Sequence, residues 1–120
     1  RGYDPVAHFT VGAPTQGNFS ITAQHDGTTY RFASEENKKL FEADPVKHLP
    51  QYGGFCAFGL ANGVKVDADP VLWTVADGRL FLNLAPPVAE RFNKNVAGFV
   101  ADADKKWVDL KDTDPLETVK

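Results

Sequence analysis

The sequence predicts a single α+β domain in which two small antiparallel β-hairpins pack with several short helices and a C-terminal amphipathic helix. Two Asp-Gly pairs, beginning at Asp26 and Asp77, each separate short runs rich in β-branched and aromatic residues. Such a pair is the strongest short-range signal of a hairpin, because both turn residues need positive φ. Apolar residues near the C-terminus recur at helical spacing. We assign the domain to residues 1–110 and a polar, flexible tail to 111–120.

The N-terminal part begins with a short apolar run, Asp4–Phe9, which is predicted to form a first strand. Gly and Pro residues within 10–18 predict a loop. In the hairpin that follows, Phe19, Ile21 and Ala23 alternate with polar residues, as is typical of a half-buried strand.

A helix is predicted to start after Ser34 and to run to about Ala43, because a serine hydroxyl caps helices well and acidic residues fill the first turn. Leu40 and Phe41 are expected on its buried face. The Asp44-Pro45 pair ends this helix and opens a short turn that carries His48. The following segment has four glycines, three aromatic residues and the single cysteine within 51–63, which indicates a tightly packed backbone.

The C-terminal half repeats the hairpin pattern around Asp77-Gly78 and then predicts a helix starting at Pro86. The amphipathic helix follows, and Trp107 is expected to anchor it in the core. Its apolar face is predicted from Val96, Phe99, Val100, Ala103 and Trp107. The two Asp-Gly hairpins are too weak a similarity to indicate an internal duplication.

Composition excludes several classes of function. The net charge of −3 and the absence of a basic stripe exclude nucleic acid as a partner. No apolar stretch is long enough to predict a membrane span. Cys56 is the only cysteine, so an intramolecular disulfide and cysteine-rich zinc motifs are excluded. The chain lacks an initial Met, and we expect it to begin inside a longer precursor, whether after a signal peptide or after trimming.

The candidate chemistry centres on one thiol and two imidazoles. Cys56 is either a small buried hydrophobe or a soft ligand or nucleophile. His8, His48 and Cys56 together provide a three-ligand set with an open position, which suits copper or zinc. The carboxylates are mostly isolated, and Asp102 and Asp104 are expected to be solvated on the polar face of the last helix.

Four segments resemble the YHS-domain family, and in particular its longer, exported bacterial branch. They are Gly2–Phe9, Tyr30–Pro45, Pro50–Gly59 and Asp69–Asn83. The resemblance covers nearly the whole chain up to about Trp107. It implies a metal-binding module in the periplasm or outside the cell.

The chain departs from the short family pattern, whose three cysteines are replaced. These positions are Ala7, Ala33 and Asn37. The thiolate site of that pattern therefore cannot form. The longer branch keeps a different thiol, matched here by Cys56, and His8 and His48 stand where that branch usually has tyrosine. Imidazole is a much better metal ligand than a phenol near neutral pH.

Our first hypothesis is a copper-binding protein, with zinc as the alternative metal and Asp4 or Tyr52 as a fourth ligand or as support for the ligands. The second is a module for a non-metal small ligand or a protein partner, with Tyr52 and Phe55 lining an apolar pocket. The third is an enzyme that depends on Cys56, which requires a lowered thiol pKa. The sequence identifies neither the ligand nor a protein partner.

Overall fold

The computed structural model describes residues 3–118 and has the predicted α+β architecture. Two separate two-stranded antiparallel sheets pack with helices. The strands are β1 (Asn18–His25), β2 (Thr28–Phe32), β3 (Asp69–Ala76) and β4 (Arg79–Asn83). The helices are α1 (Ala7–Thr10), α2 (Glu35–Ala43), α3 (Pro45–His48), α4 (Ala57–Ala61), α5 (Pro86–Asn93), α6 (Val96–Leu110) and α7 (Pro115–Thr118), with a 3₁₀ helix at Gln51–Gly54. Within residues 3–118, no helix has the length and apolar character that crossing a membrane requires.

Both predicted hairpins are confirmed, and so is the capped helix that follows the first. Asp26 and Gly27 have φ of 50° and 78°, as a tight hairpin turn requires. The Ser34 hydroxyl accepts a hydrogen bond from Asn37 N at 3.1 Å. Phe41 is buried as expected, but the side chain of Leu40 is 45% exposed and faces away from the core.

The predicted first strand at Asp4–Phe9 is wrong, because the chain turns into helix α1 here. Asp4 Oδ1 accepts hydrogen bonds from Val6 N at 2.8 Å and Ala7 N at 3.2 Å. A short polar side chain that binds the next backbone amides favours a turn over a strand. His8 therefore lies on a helix and not on a strand.

The two halves of the chain have separate hydrophobic cores. The first core is built around Val6, Phe32 and Phe41, beneath the β1–β2 hairpin. The second core joins α4, β4, α5 and α6 and contains the buried rings of Phe81 and Phe92. The apolar face of α6 packs on this second core as the spacing predicted, and Trp107 is part of that face.

The structure contains an internal repeat, which corrects our interpretation of the two hairpins. Asn18 pairs with Phe32 in the first hairpin and Asp69 with Asn83 in the second, and both members shift by 69 minus 18, or 51 residues. The other paired positions and the register irregularity shift by the same number. Identical register over two whole hairpins indicates that each half of the chain is one copy of the same structural unit.

Local capping contacts follow the same shift. Asp44 Oδ1 accepts from Lys47 N at 3.4 Å, and Asn95 Oδ1 accepts from Gly98 N at 3.2 Å. Each unit thus has one short helix, a hairpin, a second helix and a capped third helix. Over 18–48 and 69–99 the sequences are identical at only three positions, which is why the sequence did not reveal the repeat. These pairs are Asp26 and Asp77, Gly27 and Gly78, and Phe41 and Phe92.

The C-terminal segment, expected to be a flexible tail, makes defined contacts through Lys65. The Nζ of Lys65 donates to Lys111 O at 3.1 Å and to Thr113 O at 2.7 Å. The backbone amide of Lys65 donates to Thr118 Oγ1 at 2.8 Å. These contacts attach residues 111–118 to the loop before β3.

Candidate functional site

A cavity of about 320 Å³ lies between the two structural units, and we call it the neutral cleft. Side chains of both units form its walls. They include Tyr3, His8, Tyr30, Leu49, Pro70 and Leu82. The remaining lining residues are Pro, Gly, Ala and Thr, so no lining residue within 3–118 carries a carboxylate, ammonium or guanidinium group. The cleft is suited to an uncharged ligand.

The imidazole of His8 forms a fixed part of the cleft wall. Its Nε2 lies 3.0 Å from Pro70 O, and since a carbonyl only accepts, Nε2 donates the hydrogen bond. The neutral ring then carries its lone pair on Nδ1, which is buried and has no hydrogen-bond partner among residues 3–118. The ring also meets Trp73 edge-on at 5.6 Å between centroids. These contacts hold His8 in one orientation.

Tyr30 provides the second aromatic wall. Its ring packs on Phe41 at 5.2 Å between centroids, which connects the cleft to the first core. Burial raises the pKa of Tyr30, so its phenol is protonated at neutral pH and can donate a hydrogen bond. Tyr30 therefore offers both a flat apolar surface and a polar group.

An unusual backbone turn shapes the floor of the cleft. Tyr52, Gly53 and Gly54 all have positive φ, of 60°, 63° and 84°. Glycine adopts this conformation readily, whereas a tyrosine there is strained. The turn places the two glycines at the cleft and sends the Tyr52 side chain into the second core. The glycine-rich sequence predicts a tightly packed backbone here, but it does not give the direction of the turn.

The three proposed metal ligands are each engaged in separate contacts. The Nδ1 of His48 donates to Asp44 O at 2.9 Å, and its ring meets Phe9 edge-on at 5.5 Å. The Sγ of Cys56 lies 3.5 Å from Asn83 Oδ1 and accepts from Gly59 N at 3.4 Å. His8 donates to Pro70 as described above.

No three or more His, Cys, Asp or Glu side chains of residues 3–118 are grouped so that they could hold a metal ion. The structure therefore does not bring His8, His48 and Cys56 together, and the donor set as placed does not fit copper or zinc. The assignment of this trio stays a prediction, which comes from the chemistry of the three side chains and from the family resemblance.

The three supporting residues have structural partners instead. Asp4 is fully buried, and its Oδ2 accepts from Ala33 N and Asn37 Nδ2, both at 2.8 Å, which ties α1 to β2 and α2. Phe55 packs on the second core with Tyr52. Our expectation that Tyr52 and Phe55 line an apolar pocket is not met by the neutral cleft, which their glycine neighbours line.

A polar network that we had not predicted joins Arg79, Asp104, Gln51 and Tyr52. Arg79 donates to both carboxylate oxygens of Asp104, with Nη2 at 2.7 Å from Oδ1 and Nη1 at 3.1 Å from Oδ2. Arg79 also donates to Gln51 Oε1, and the Tyr52 hydroxyl donates to Asp104 Oδ1 at 2.8 Å. Our expectation that Asp104 is merely solvated was therefore wrong.

The network changes the acidity of its members. The hydrogen bonds from Arg79 hold the pKa of Asp104 below its usual value. Burial, followed by the hydrogen bond to Asp104, raises the pKa of Tyr52 well above its usual value. At neutral pH the site thus has a charged carboxylate, a charged guanidinium and a protonated phenol. No local sequence pattern links these residues, since they meet only through tertiary contacts.

Comparison with protein-family models, curated proteins and solved structures found no match for this chain. The similarity to the YHS-domain family therefore stays a resemblance carried by motifs.

Proposed function

We propose that this domain binds a small uncharged organic molecule in the neutral cleft. The observation that carries the proposal is the cavity of about 320 Å³ between the two units, whose lining residues within 3–118 include no Asp, Glu, Lys or Arg. Ligand sites in proteins commonly have volumes of about 300 to 1,000 Å³ and mostly apolar walls with a few polar groups. The neutral cleft meets both conditions.

The residues of the cleft walls indicate which chemical groups such a ligand carries. Tyr3, His8 and Tyr30 present aromatic surface, while Leu49 and Leu82 are aliphatic. The protonated phenol of Tyr30 favours a ligand with a hydrogen-bond acceptor. A charged ligand would have to lose its hydration shell without meeting an opposite charge, which disfavours it strongly.

Benzyl alcohol is a suitable probe, because it has one ring and one hydroxyl and no charge. Titration should shift the backbone amide resonances of Gly53, Gly54 and Ala68, which line the cleft. An Ala68→Trp variant fills the cleft and should abolish these shifts, provided that its spectrum shows a folded protein. Shifts confined to other parts of the chain, or unchanged binding in the folded variant, would contradict the proposal.

Copper binding, with zinc as the alternative, is the second candidate. The observation that favours it is the hydrogen bonding of His8 and His48. In each ring one nitrogen donates to a backbone carbonyl, which leaves the lone pair on the other nitrogen. Ligating histidines are held in this way. Both imidazoles and Cys56 would have to rearrange before they could share one ion.

Titration of copper or zinc into protein freed of metal by a chelator tests this candidate. Stoichiometric binding that weakens in His8→Ala, His48→Ala and Cys56→Ala supports the three-ligand site. Equal affinity in the wild type and in Cys56→Ala removes the thiol from it. The periplasmic or secreted location implied by the resemblance is a separate proposal, which cell fractionation tests.

A further inference from the structure

The second structural unit has a pocket of its own, and we call it the charged pocket. It has a volume of about 410 Å³ and lies between β4 and α6. Two residues of the neutral cleft, Thr28 and Tyr30, shift by 51 residues onto residues that line the charged pocket. The corresponding residues are Arg79 and Phe81. The second hairpin therefore contributes to the charged pocket the two positions that the first hairpin contributes to the neutral cleft.

The charged pocket has an apolar floor and a polar rim. Val96 and Val100 supply the accessible floor, because Phe81 is only 1% exposed and the Arg79 guanidinium lies 5.2 Å from the centroid of its ring. The neutral residue Thr28 of the first hairpin is replaced by Arg79, and Asp77 and Asp104 add carboxylates that the neutral cleft lacks.

The rim carries an excess of negative charge. Its charged side chains among residues 3–118 are Asp77, Arg79 and Asp104, which are two carboxylates and one guanidinium. Asp104 binds the guanidinium in a bidentate pair, with Gln51 as a further acceptor, so most of the N–H groups of Arg79 are already used. Asp104 Oδ2 accepts only from Arg79 Nη1 within this network and keeps a second lone pair. Asp77 adds a full negative charge beside this pair.

We propose that the charged pocket is a second binding site, which takes a small organic cation with an apolar body. The apolar body packs on Val96 and Val100, and the ammonium group lies at Asp77 and Asp104. This site is separate from the neutral cleft and does not rest on the function proposed for it. The two pockets then differ in the charge of the ligand that each accepts.

Benzylammonium, benzyl alcohol and benzoate test the proposal, because they share a ring and differ in charge. Benzylammonium should shift the amide resonances of Asp77, Ala97 and Ala101, which line the charged pocket. Its affinity there should exceed that of benzoate about five-fold, as expected for a partly exposed charge contact at low salt. Asp77→Asn should weaken benzylammonium about two- to five-fold, and asparagine tolerates the positive φ of this position.

Two matched variants locate the binding. Ala101→Trp fills the charged pocket from an exposed position on α6 and should abolish the shifts caused by benzylammonium. Ala68→Trp fills the neutral cleft and should leave them intact. The proposal is overturned if benzoate binds as tightly as benzylammonium, if no probe binds at Asp77 and Ala101, or if folded Ala101→Trp retains full affinity. Should Ala101→Trp fail to fold, the affinity of benzylammonium for Asp77→Asn, compared with that for the wild type, still tests the proposal.

Discussion

The hydroxyl of Tyr52 donates a hydrogen bond of 2.8 Å to Asp104, a residue 52 positions away on helix α6. This contact holds a tyrosine in a left-handed backbone conformation (φ 60°, ψ 36°) that its side chain disfavours. The strained turn before α4 and the longest helix of the chain are thereby joined in one network with Arg79. The stability of the second unit, and the change of that stability with pH, should therefore depend on this network.

Tyr52→Phe keeps the ring in the second core and removes the hydrogen bond to Asp104. We expect the free energy of unfolding to fall by about 1 kcal/mol, measured by urea denaturation at pH 7. Asp104→Asn and the double variant complete a cycle that isolates the coupling between the two side chains. Additive effects of the two single changes would show that the contact does not contribute.

Stability should fall in acid through Asp104. Its pKa is lowered in the folded protein, mainly by the hydrogen bonds from Arg79, so the unfolded chain takes up the proton more readily. The contribution of this carboxylate is therefore present above its ordinary pKa of 3.8 and is lost as the pH falls through the folded pKa. Urea denaturation at pH 7 and at pH 3 should show a smaller loss for Asp104→Asn than for the wild type. Equal losses would contradict the prediction.

Cys56 should react slowly with iodoacetamide in the folded protein. Its side chain is 1% exposed and is held between Asn83 and the amide of Gly59. Alkylation should accelerate strongly in urea, and mass spectrometry follows it directly. Cys56→Ser preserves a donor and an acceptor and should be milder than Cys56→Ala, which should cost about 1 kcal/mol. Fast alkylation without urea would instead support an enzymatic thiol.

Lys65→Met should destabilise the protein and release its C-terminal segment. Lys65 is 5% exposed, its ammonium lies 5.1 Å and 5.4 Å from the ring centroids of Phe55 and Trp107, and it donates to two carbonyls after α6. The loss of these charge-assisted bonds leaves acceptors unpaired, and we expect a cost of about 2 kcal/mol.

Limited proteolysis should then cut Lys65→Met within 111–118 faster than the wild type. Lys106→Met is a matched control, since Lys106 Nζ donates to Ala61 O from an exposed position. If both variants are cut equally, the attachment through Lys65 does not hold the segment.

Gly27→Ala and Gly78→Ala should have similar effects, because the two glycines occupy the same place in the repeat. Their φ values are 78° and 72°, and a Cβ at either would meet no neighbouring atom, so the cost arises from the backbone alone. We expect about 1 kcal/mol for each, measured by thermal or urea unfolding. A large difference between the two would contradict their equivalence.

Local signals made much of the fold predictable. The Asp-Gly turns, the Ser34 cap and the apolar spacing of α6 act within a few residues, and all three predictions were confirmed. Helix α1 could not be predicted because the turn that precedes it depends on the direction of the Asp4 side chain, whose Oδ1 accepts from the amides of Val6 and Ala7. The repeat was missed because three identities do not stand out in the sequence.

The functional sites were harder to predict from the sequence than the fold was. The sequence proposes His8 as a metal ligand, but it could not show that this side chain lies in the wall of a cleft beside Pro70. The Arg79–Asp104 pair depends on the packing of β4 against α6. Neither contact leaves a local pattern, since both partners are brought together only by tertiary structure.

The separation of the hydrophobic interior into two clusters affects how the protein unfolds locally. Each unit encloses its own buried rings, so amide hydrogen exchange should divide the protein into two cooperative units with different opening free energies. The neutral cleft lies where these units meet. A ligand in the cleft contacts both units, so its binding free energy opposes the independent opening of the less stable unit.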